Sequence, residues 1–339
     1  MSGDPKISLI IPMYNVEKYL RRCLDSVANQ TFTDWQAICV NDGSTDKSGE
    51  IAAEYAARDS RFVVINKENT GQSDSRNIGT VRATGEYIMY LDADDFIHPQ
   101  TMELLYKFGR DNNADMVVFR HDVHERMVMQ KMADAGKDIS DYVPRGCDKK
   151  YNLNKISCRI TDNILRFATD RNHAFGRWRV KKCYPVLKML RRELAQSHKF
   201  INGIIIEDFP WWSEIMFSRP RTVIAKVPLY FYTPNMKSSL NSSDVSFVVK
   251  SICTGLEYVY KNVLVRASDY ELVRFNREFL WSFIITVMRS LRDVSSATDI
   301  EQIRKRVLQL YKIGVFDNPP TGRARKYRRR IENFIFQDS

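Results

Sequence analysis

Short apolar runs alternate with amphipathic stretches over the first 120 residues. The apolar runs are four to eight residues long, which is typical of buried strands. They lie at 6–13, 35–40, 62–65, 87–91 and 114–119. The stretches between them place apolar residues at helical spacing. Strand alternating with helix predicts crossover connections, and therefore an α/β fold with a mostly parallel central sheet and helices on both faces.

The pattern weakens after Arg120. Residues 121–175 are polar, charged and weakly periodic, which predicts irregular structure around a binding face. A helix is expected from about residue 184, and short strands at 204–206, 222–225 and 229–232. Residues 244–313 have helical periodicity and predict a C-terminal helical region. The chain therefore divides into three parts, 1–120, 121–245 and 246–339.

Charge adds one feature to this picture. The net charge is +11, from 52 basic and 41 acidic residues, and the basic excess is concentrated at 323–330. Such a run suits nucleic acid, an anionic membrane surface or a solvated helix face. No apolar stretch reaches the length of a membrane span, and the start of the chain lacks the layout of a secretory signal. Six scattered cysteines indicate reduced thiols, so we expect a cytoplasmic protein, either free or at the inner membrane face.

Three carboxylates stand within four residues, directly after the fourth predicted strand. They are Asp92, Asp94 and Asp95. Carboxylates packed so closely repel one another unless a cation such as Mg²⁺ or Mn²⁺ lies between them, and such cations commonly join carboxylates to substrate phosphates. The alternative is an acidic cap on the helix that follows His98 and Pro99.

Polar residues also follow the first three predicted strands, and parallel strands bring such residues to one edge of the sheet. They include Pro12, Tyr14 and Asn15, then Asp42, then Asn69, Gly71, Ser73, Arg76 and Asn77. An aromatic face, a carboxylate, a guanidinium and a metal site together suit a nucleoside diphosphate. Neither a P-loop nor a Gly-x-Gly-x-x-Gly motif is present, which argues against the phosphate chemistry of those folds.

Four motifs in order resemble the family 2 glycosyltransferases, which have the GT-A fold. The motifs are Ile10-Ile11-Pro12-Met13-Tyr14-Asn15, Val40-Asn41-Asp42-Gly43-Ser44-Thr45-Asp46, Asn69-x-Gly71-x-Ser73-x-x-Arg76-Asn77-x-Gly79 and Leu91-Asp92-Ala93-Asp94-Asp95. They span about the first 120 residues.

The resemblance implies a UDP-sugar donor and a Mn²⁺ or Mg²⁺ cofactor. It places Tyr14, Asp42 and Arg76 around the uracil or its ribose, with Pro12 and Asn15 in the same nucleotide site. Asp92 would contact the nucleotide, and Asp94 would ligate the cation that bridges the diphosphate, with Asp95 as a further candidate ligand. The cation would stabilise the charge that accumulates on the departing UDP.

The second half resembles the family more loosely. Glu207 and Asp208 look like its Glu-Asp motif, which implies that Asp208 is the general base of an inverting reaction and that Glu207 orients the acceptor. Residues 184–192 look like the family's Trp-x-Lys-Leu-Tyr-Arg stretch, with Lys188 retained as a candidate acceptor-binding residue. Thr233 stands where the family's diphosphate-closing arginine is expected, so Lys237 is the nearest cation. Trp211 and Trp212 suit either a sugar-stacking platform or the core.

The leading hypothesis is an inverting, metal-dependent transferase that moves a sugar from UDP to a hydroxyl of a polysaccharide or lipid-linked glycan. A metal-dependent nucleotidyltransferase is an alternative, although its first loop should be basic and glycine-rich. A basic nucleic-acid-binding or membrane-binding module is another, but the carboxylate cluster would repel a polyanion. We therefore expect no nucleic-acid partner, an anionic membrane surface as partner for the basic cluster, and leave an oligomer open.

Overall fold

A computed structural model describes residues 3–140, 142–144, 149–152, 155–162, 183–235, 244–268, 275, 280–317, 319 and 322–336. The chain forms two compact units. The first unit is built from Met1–Asp162, Tyr184–Asn202 and Pro220–Asn235, and the rest of the chain belongs to the second. The three-part division at 120 and 245 stays a prediction.

A nine-stranded sheet forms the centre of the first unit. Its strands are β1 (Ile7–Met13), β2 (Trp35–Asp42), β3 (Phe62–Lys67), β4 (Tyr87–Tyr90), β5 (Phe96–Ile97), β6 (Met116–His121), β7 (Cys158–Thr161), β8 (Lys188–Arg191) and β9 (Thr222–Phe231). The order is β3-β2-β1-β4-β8-β6-β9-β5, with β7 on β9. Six strands run in one direction, and β5, β7 and β8 run against them. The predicted α/β fold with a mostly parallel sheet is confirmed.

Helices surround the sheet, and some of them bury a clear apolar stripe against it. They are α1 (Glu17–Ala28), α2 (Ser48–Arg58), α3 (Gln72–Arg82), α4 (Thr101–Asp111), α5 (Val123–Asp134) and α6 (Arg192–Gln196). In α1 the buried residues are Leu20, Cys23, Leu24 and Val27, four members of the stripe read from the sequence. All seven residues of β1 are buried, as expected for a strand covered on both faces.

Several sequence-based assignments after Arg120 are wrong. Residues 121–175 contain α5 and β7. α5 begins at a true cap, because the Asp122 carboxylate accepts a hydrogen bond from the Glu125 amide at 3.1 Å. The helix expected from residue 184 is one 3₁₀ turn, Pro185–Leu187, that leads directly into β8. No strand forms at 204–206, and the two strands expected at 222–225 and 229–232 are one continuous strand, β9.

The second unit is helical, as predicted for the C-terminal region. Its helices are α7 (Asp208–Phe217), α8 (Val245–Tyr258), α9 (Trp281–Ser290), α10 (Ala297–Lys312) and α11 (Gly322–Phe336). α9 and α10 both contact α11, whose buried residues are Ala324, Tyr327, Ile331 and Ile335. Within the described ranges, no helix is both long and apolar enough to cross a membrane.

Candidate active site

The loops after β1 and β2 are bound to each other at the carboxyl edge of the sheet. The Asn15 amide N–H donates to the Ser44 hydroxyl at 3.1 Å, and the Asn15 side-chain oxygen accepts from the Thr45 amide at 2.8 Å. Asn15 adopts φ +51°, a conformation that asparagine tolerates better than most residues. Tyr14 beside it is 48% exposed, so its ring is available to a ligand.

Asp42 ends β2 and fixes the loop that follows β3. Its carboxylate accepts hydrogen bonds from the backbone amides of Thr70 and Gly71, both at 2.9 Å, and from the Lys67 ammonium group. Gly71 has φ +97°, which a residue with a side chain rarely adopts. The predicted base-binding carboxylate is therefore also the anchor of the loop that leads into α3.

Arg76 and Asp92 form an ion pair between α3 and the loop after β4. The Arg76 Nη2 atom lies 2.9 Å from Asp92 Oδ1, and Gln72 donates to the same oxygen at 3.1 Å. Arg76 is only 3% exposed, whereas the Asp92 side chain is 29% exposed. A guanidinium held this way keeps one carboxylate oxygen in a fixed place while the carboxylate remains open to solvent.

Asp94 and Asp95 are held by the end of β9 and the segment that follows it. Asn235 donates its side-chain amide to Asp94 Oδ2 at 3.0 Å. Asp95 is 1% exposed and accepts from the Thr233 amide at 2.6 Å and from the Tyr230 hydroxyl. Asp95 therefore faces inward and fixes the loop, whereas Asp94 in the same loop is half-buried.

The chemistry of this carboxylate group suits a hard divalent cation. Burial, and then the neighbouring charge of Asp92, raise the pKa of Asp94 to about 6. A bound cation would relieve both effects. No group of three or more His, Cys, Asp or Glu side chains in the described part of the chain is arranged to hold a metal. Asp92 and Asp94 thus fit a cation that takes its remaining ligands from a substrate diphosphate or water.

Three further candidates for the nucleotide and acceptor sites are Pro12, Lys188 and Lys237. Pro12 is buried in β1, opposite Val40. Lys188 is 1% exposed in β8, and its ammonium group donates to the Tyr184 carbonyl at 2.5 Å, so it lies within the sheet. Its predicted acceptor-binding role stays a prediction. Lys237 lies outside the described residues.

Glu207 and Asp208 lie in the second unit, at the start of α7. Asp208 is the first residue of the helix and is half-buried, whereas Glu207 is 8% exposed. Trp211 and Trp212 are 1% and 0% exposed, so both contribute to the core of this unit. The acceptor-binding roles of the two tryptophans are not tested by this burial and stay predictions.

Sequence reasoning missed two residues that shape the site, Lys67 and Asn235. Lys67 ends β3, and the register of the parallel pair places it opposite Asp42. A lone lysine after an apolar run gives no sign of that pairing. Asn235 lies two residues after Thr233, and nothing in the adjacent sequence indicates a contact with Asp94. Its contact with Asp94 depends on β9 lying beside β5, which a sequence does not reveal.

Comparisons with known proteins agree with this architecture. Glycosyltransferase GlyA of Streptococcus pneumoniae serotype 4 is 46% identical over 118 residues, which cover 35% of this chain and 17% of GlyA. The crystal structure of S. aureus TarS 1–349 with UDP-GlcNAc superposes with a TM-score of 0.57 at 18% identity, covering 97% of this chain and 91% of that chain.

The mannosyltransferase PcManGT from Pyrobaculum calidifontis, in complex with GDP-Man and Mn²⁺, gives a TM-score of 0.50 at 12% identity, covering 98% of this chain and 86% of that one. At such identities the two structures show a shared GT-A fold. Residues 8–198 match the model of the family described as Glycosyl transferase family 2. That match spans more than half of the 339 residues, so the chain belongs to glycosyl transferase family 2 and is a glycosyltransferase.

Proposed function

We propose that the protein transfers a sugar, with inversion, from a UDP-sugar donor to a hydroxyl of a polysaccharide or lipid-linked glycan. One observation carries the donor part of the proposal. Arg76 and Asp92 form an ion pair at 2.9 Å at the carboxyl edge of the sheet. Asp42 at the end of β2, Tyr14 in the loop after β1 and Asp94 in the loop after β4 lie at the same edge. The complexes of S. aureus TarS with UDP-GlcNAc and with UDP support the same donor class.

The uridine half of the donor would use residues from three loops. The exposed ring of Tyr14 offers a stacking face for uracil. Asp42 is acceptor-only when ionised, so it suits the imide N–H of uracil. Arg76 holds Asp92 by one carboxylate oxygen, and the other would contact the ribose or the diphosphate.

The diphosphate would be held through Asp94 and a divalent cation, Mn²⁺ or Mg²⁺. When bound, the cation supplies charge stabilisation to the departing UDP. Asn235 keeps Asp94 oriented for this role, and Asp95 supports the loop from within through Thr233 and Tyr230. The Mn²⁺ in PcManGT supports this class of cofactor.

Asp208 is proposed as the general base that takes the proton of the acceptor hydroxyl. Its place at the N-terminus of α7 keeps the carboxylate beside the positive end of the helix dipole. Glu207 would orient the acceptor. The exposed basic residues of α11 (Arg325, Lys326 and Arg329) are proposed to meet an anionic membrane surface that carries the acceptor.

Calorimetric titration with UDP, in the presence and absence of Mn²⁺, tests the proposal. We expect UDP binding that Mn²⁺ strengthens. A preference for UTP over UDP would favour a nucleotidyltransferase instead. Oligonucleotide binding that falls steeply with salt would favour a nucleic-acid-binding module. Hydrolysis of UDP-glucose, UDP-galactose and their N-acetyl forms, with water as the acceptor, would then identify the donor sugar.

A further inference from the structure

The segment that leads into α7 contains an unusual backbone conformation. Ile206 has φ +68°, directly before Glu207 and Asp208. A β-branched residue with positive φ is an outlier, because its side chain crowds the backbone in the left-handed region. Such conformations persist only where the surroundings over-determine them, and they cluster at functional sites.

Other positive-φ residues in the described ranges have ordinary explanations. Asn15 and Asn113 are asparagines, which tolerate this region. Arg219 has φ +54° and follows the C-cap of α7, where its amide donates to the Met216 carbonyl at 3.3 Å. A left-handed residue just after a helix is a common ending. No capping rule accounts for Ile206, which lies at the opposite end of the same helix.

The conformation of Ile206 determines where α7 begins. Glu207 already has helical angles, φ −61° and ψ −20°, so the positive φ of Ile206 is what stops the helix from running back toward Gly203. The Ile206 carbonyl accepts from the Phe209 amide at 3.2 Å, which closes the first turn around Asp208. Asp208 therefore stays in the first turn.

Both sides of this turn are fixed. The Ile205 amide donates to the hydroxyl of Ser251 in α8 at 3.3 Å, and Ser251 is 3% exposed. After the turn, seven residues of α7 are buried. They are Phe209, Pro210, Trp211, Trp212, Ser213, Ile215 and Met216. The helix cannot rotate without exposing them, so the strain at Ile206 cannot relax by a shift of α7.

We propose that Ile206 is a positioning residue for the glycosyl-transfer reaction. Its left-handed backbone holds the Asp208 carboxylate at the first turn of α7, in one orientation, before substrate binds. The proposal rests on the assignment of Asp208 as general base. It concerns the backbone conformation rather than any contact of the Ile206 side chain with substrate.

Three substitutions at Ile206 separate backbone from side chain. Ile206→Gly permits both signs of φ, so the first turn, which carries Asp208, should fray while the buried part of α7 stays in place. Ile206→Asn keeps a Cβ and tolerates the left-handed region, so it should hold the turn while replacing the apolar side chain. Ile206→Val keeps the β-branched shape. Arg219→Gly is the matched control, because it frees a positive-φ residue at the other end of the same helix.

The assay is steady-state hydrolysis of the UDP-sugar that turns over fastest, with water as acceptor, together with the thermal midpoint. For Ile206→Gly we expect kcat to fall roughly tenfold or more, with the donor KM and the midpoint little changed, since small misplacements of a catalytic group cost large factors. Ile206→Asn, Ile206→Val and Arg219→Gly should stay within about twofold of wild-type kcat.

Wild-type kcat in Ile206→Gly would overturn the inference. An equal loss in Ile206→Asn would also overturn it, because the side chain rather than the backbone would then be responsible. Asp208→Asn, assayed in parallel, tests the assignment beneath it. If Asp208→Asn retains turnover, the general base is wrong. If Asp208→Asn is inactive while Ile206→Gly is normal, the base assignment stands and only the role of Ile206 fails.

Discussion

Lys67 lies directly opposite Asp42 in the parallel pairing of β2 with β3, and its ammonium group binds the Asp42 carboxylate. The two side chains are 11% and 6% exposed. Lys67 also lies 3.3 Å from Asp74 of α3 and donates to the Thr70 hydroxyl at 2.5 Å. Lys67 thus connects the end of β2, the loop after β3 and the helix α3 around the proposed uracil site.

Lys67→Met should destabilise the first unit and weaken UDP binding. Removing one partner of a buried pair leaves the other charge uncompensated, which costs about 3 kcal/mol. Urea denaturation should therefore show a lower free energy of unfolding. In the double variant Asp42→Asn with Lys67→Met, the combined loss should be smaller than the sum of the single losses. Additive losses would show that the two groups do not interact.

Asp94→Asn should abolish the enhancement of UDP binding by Mn²⁺. The amide is a weaker ligand for a hard cation, and the negative charge that attracts the cation is lost. Calorimetry with UDP, with and without Mn²⁺, measures the effect. Asp111→Asn, on the surface of α4, is the control and should behave as wild type. Retained dependence on Mn²⁺ in Asp94→Asn would refute the ligand assignment.

Asp208→Asn should leave UDP affinity near normal and reduce turnover by about 10²- to 10⁴-fold. The amide keeps the size of the side chain but cannot accept the acceptor proton. Turnover and UDP affinity are measured on the same preparation, so loss of fold is separated from loss of chemistry. Glu301→Gln removes a carboxylate from α10 in the same unit and should not change kcat.

The outward face of α11 should attract anionic vesicles. Arg325, Lys326 and Arg329 are exposed, whereas Arg328 pairs with Asp317 at 3.4 Å and with Glu332 at 3.2 Å. Replacing the three exposed residues by serine should weaken flotation with phosphatidylserine vesicles by about 1 kcal/mol per charge.

A charge-matched variant controls for total charge in that experiment. Replacing the exposed Lys137, Lys199 and Lys305 by serine removes the same number of charges from other surfaces. This variant should float nearly as wild type. If both triple variants lose flotation equally, net charge rather than α11 is responsible.

Buried cysteines should resist alkylation in the folded protein. Burial raises the pKa of Cys39 to about 12 and that of Cys253 to about 12, so at pH 8 both remain thiols, and only the thiolate reacts. Cys158 is exposed in β7. Iodoacetamide followed by mass spectrometry should label Cys158 first, and Cys39 and Cys253 only after denaturation. Equal labelling rates would indicate that the core opens readily.

The first half of the fold was predictable because each of its elements carries its own signal. The apolar stripe of α1 and the apolar run of β1 both appear in the sequence at the spacing that their burial requires. Asp42, Arg76 and Asp92 could be named as candidate site residues, since each lies in one of the four motifs. The ion pair between Arg76 and Asp92, however, depends on three-dimensional packing that the sequence does not show.

Later elements were missed where the local pattern is ambiguous. β8 is four residues long and begins directly after a 3₁₀ turn, so its short apolar run resembles a helix. α5 buries few of its residues, so its sequence lacks the apolar periodicity that indicates a helix. At Ile206, local preference predicts an extended strand, whereas the backbone is left-handed between the Ile205–Ser251 hydrogen bond and the start of α7.

β8 has a consequence for how the polypeptide matures. It lies between β4 and β6 and pairs with both, although it follows them by about 70 residues or more. A nascent chain that has emerged only as far as Asp162 therefore leaves one edge of β4 unpaired, and β6 has neither of its partners, because β8 and β9 have not yet been made. Such edges invite pairing with other chains. The sheet is complete only when Lys188–Arg191 and Thr222–Phe231 have both been made, so the interval before their synthesis carries the greatest risk of aggregation.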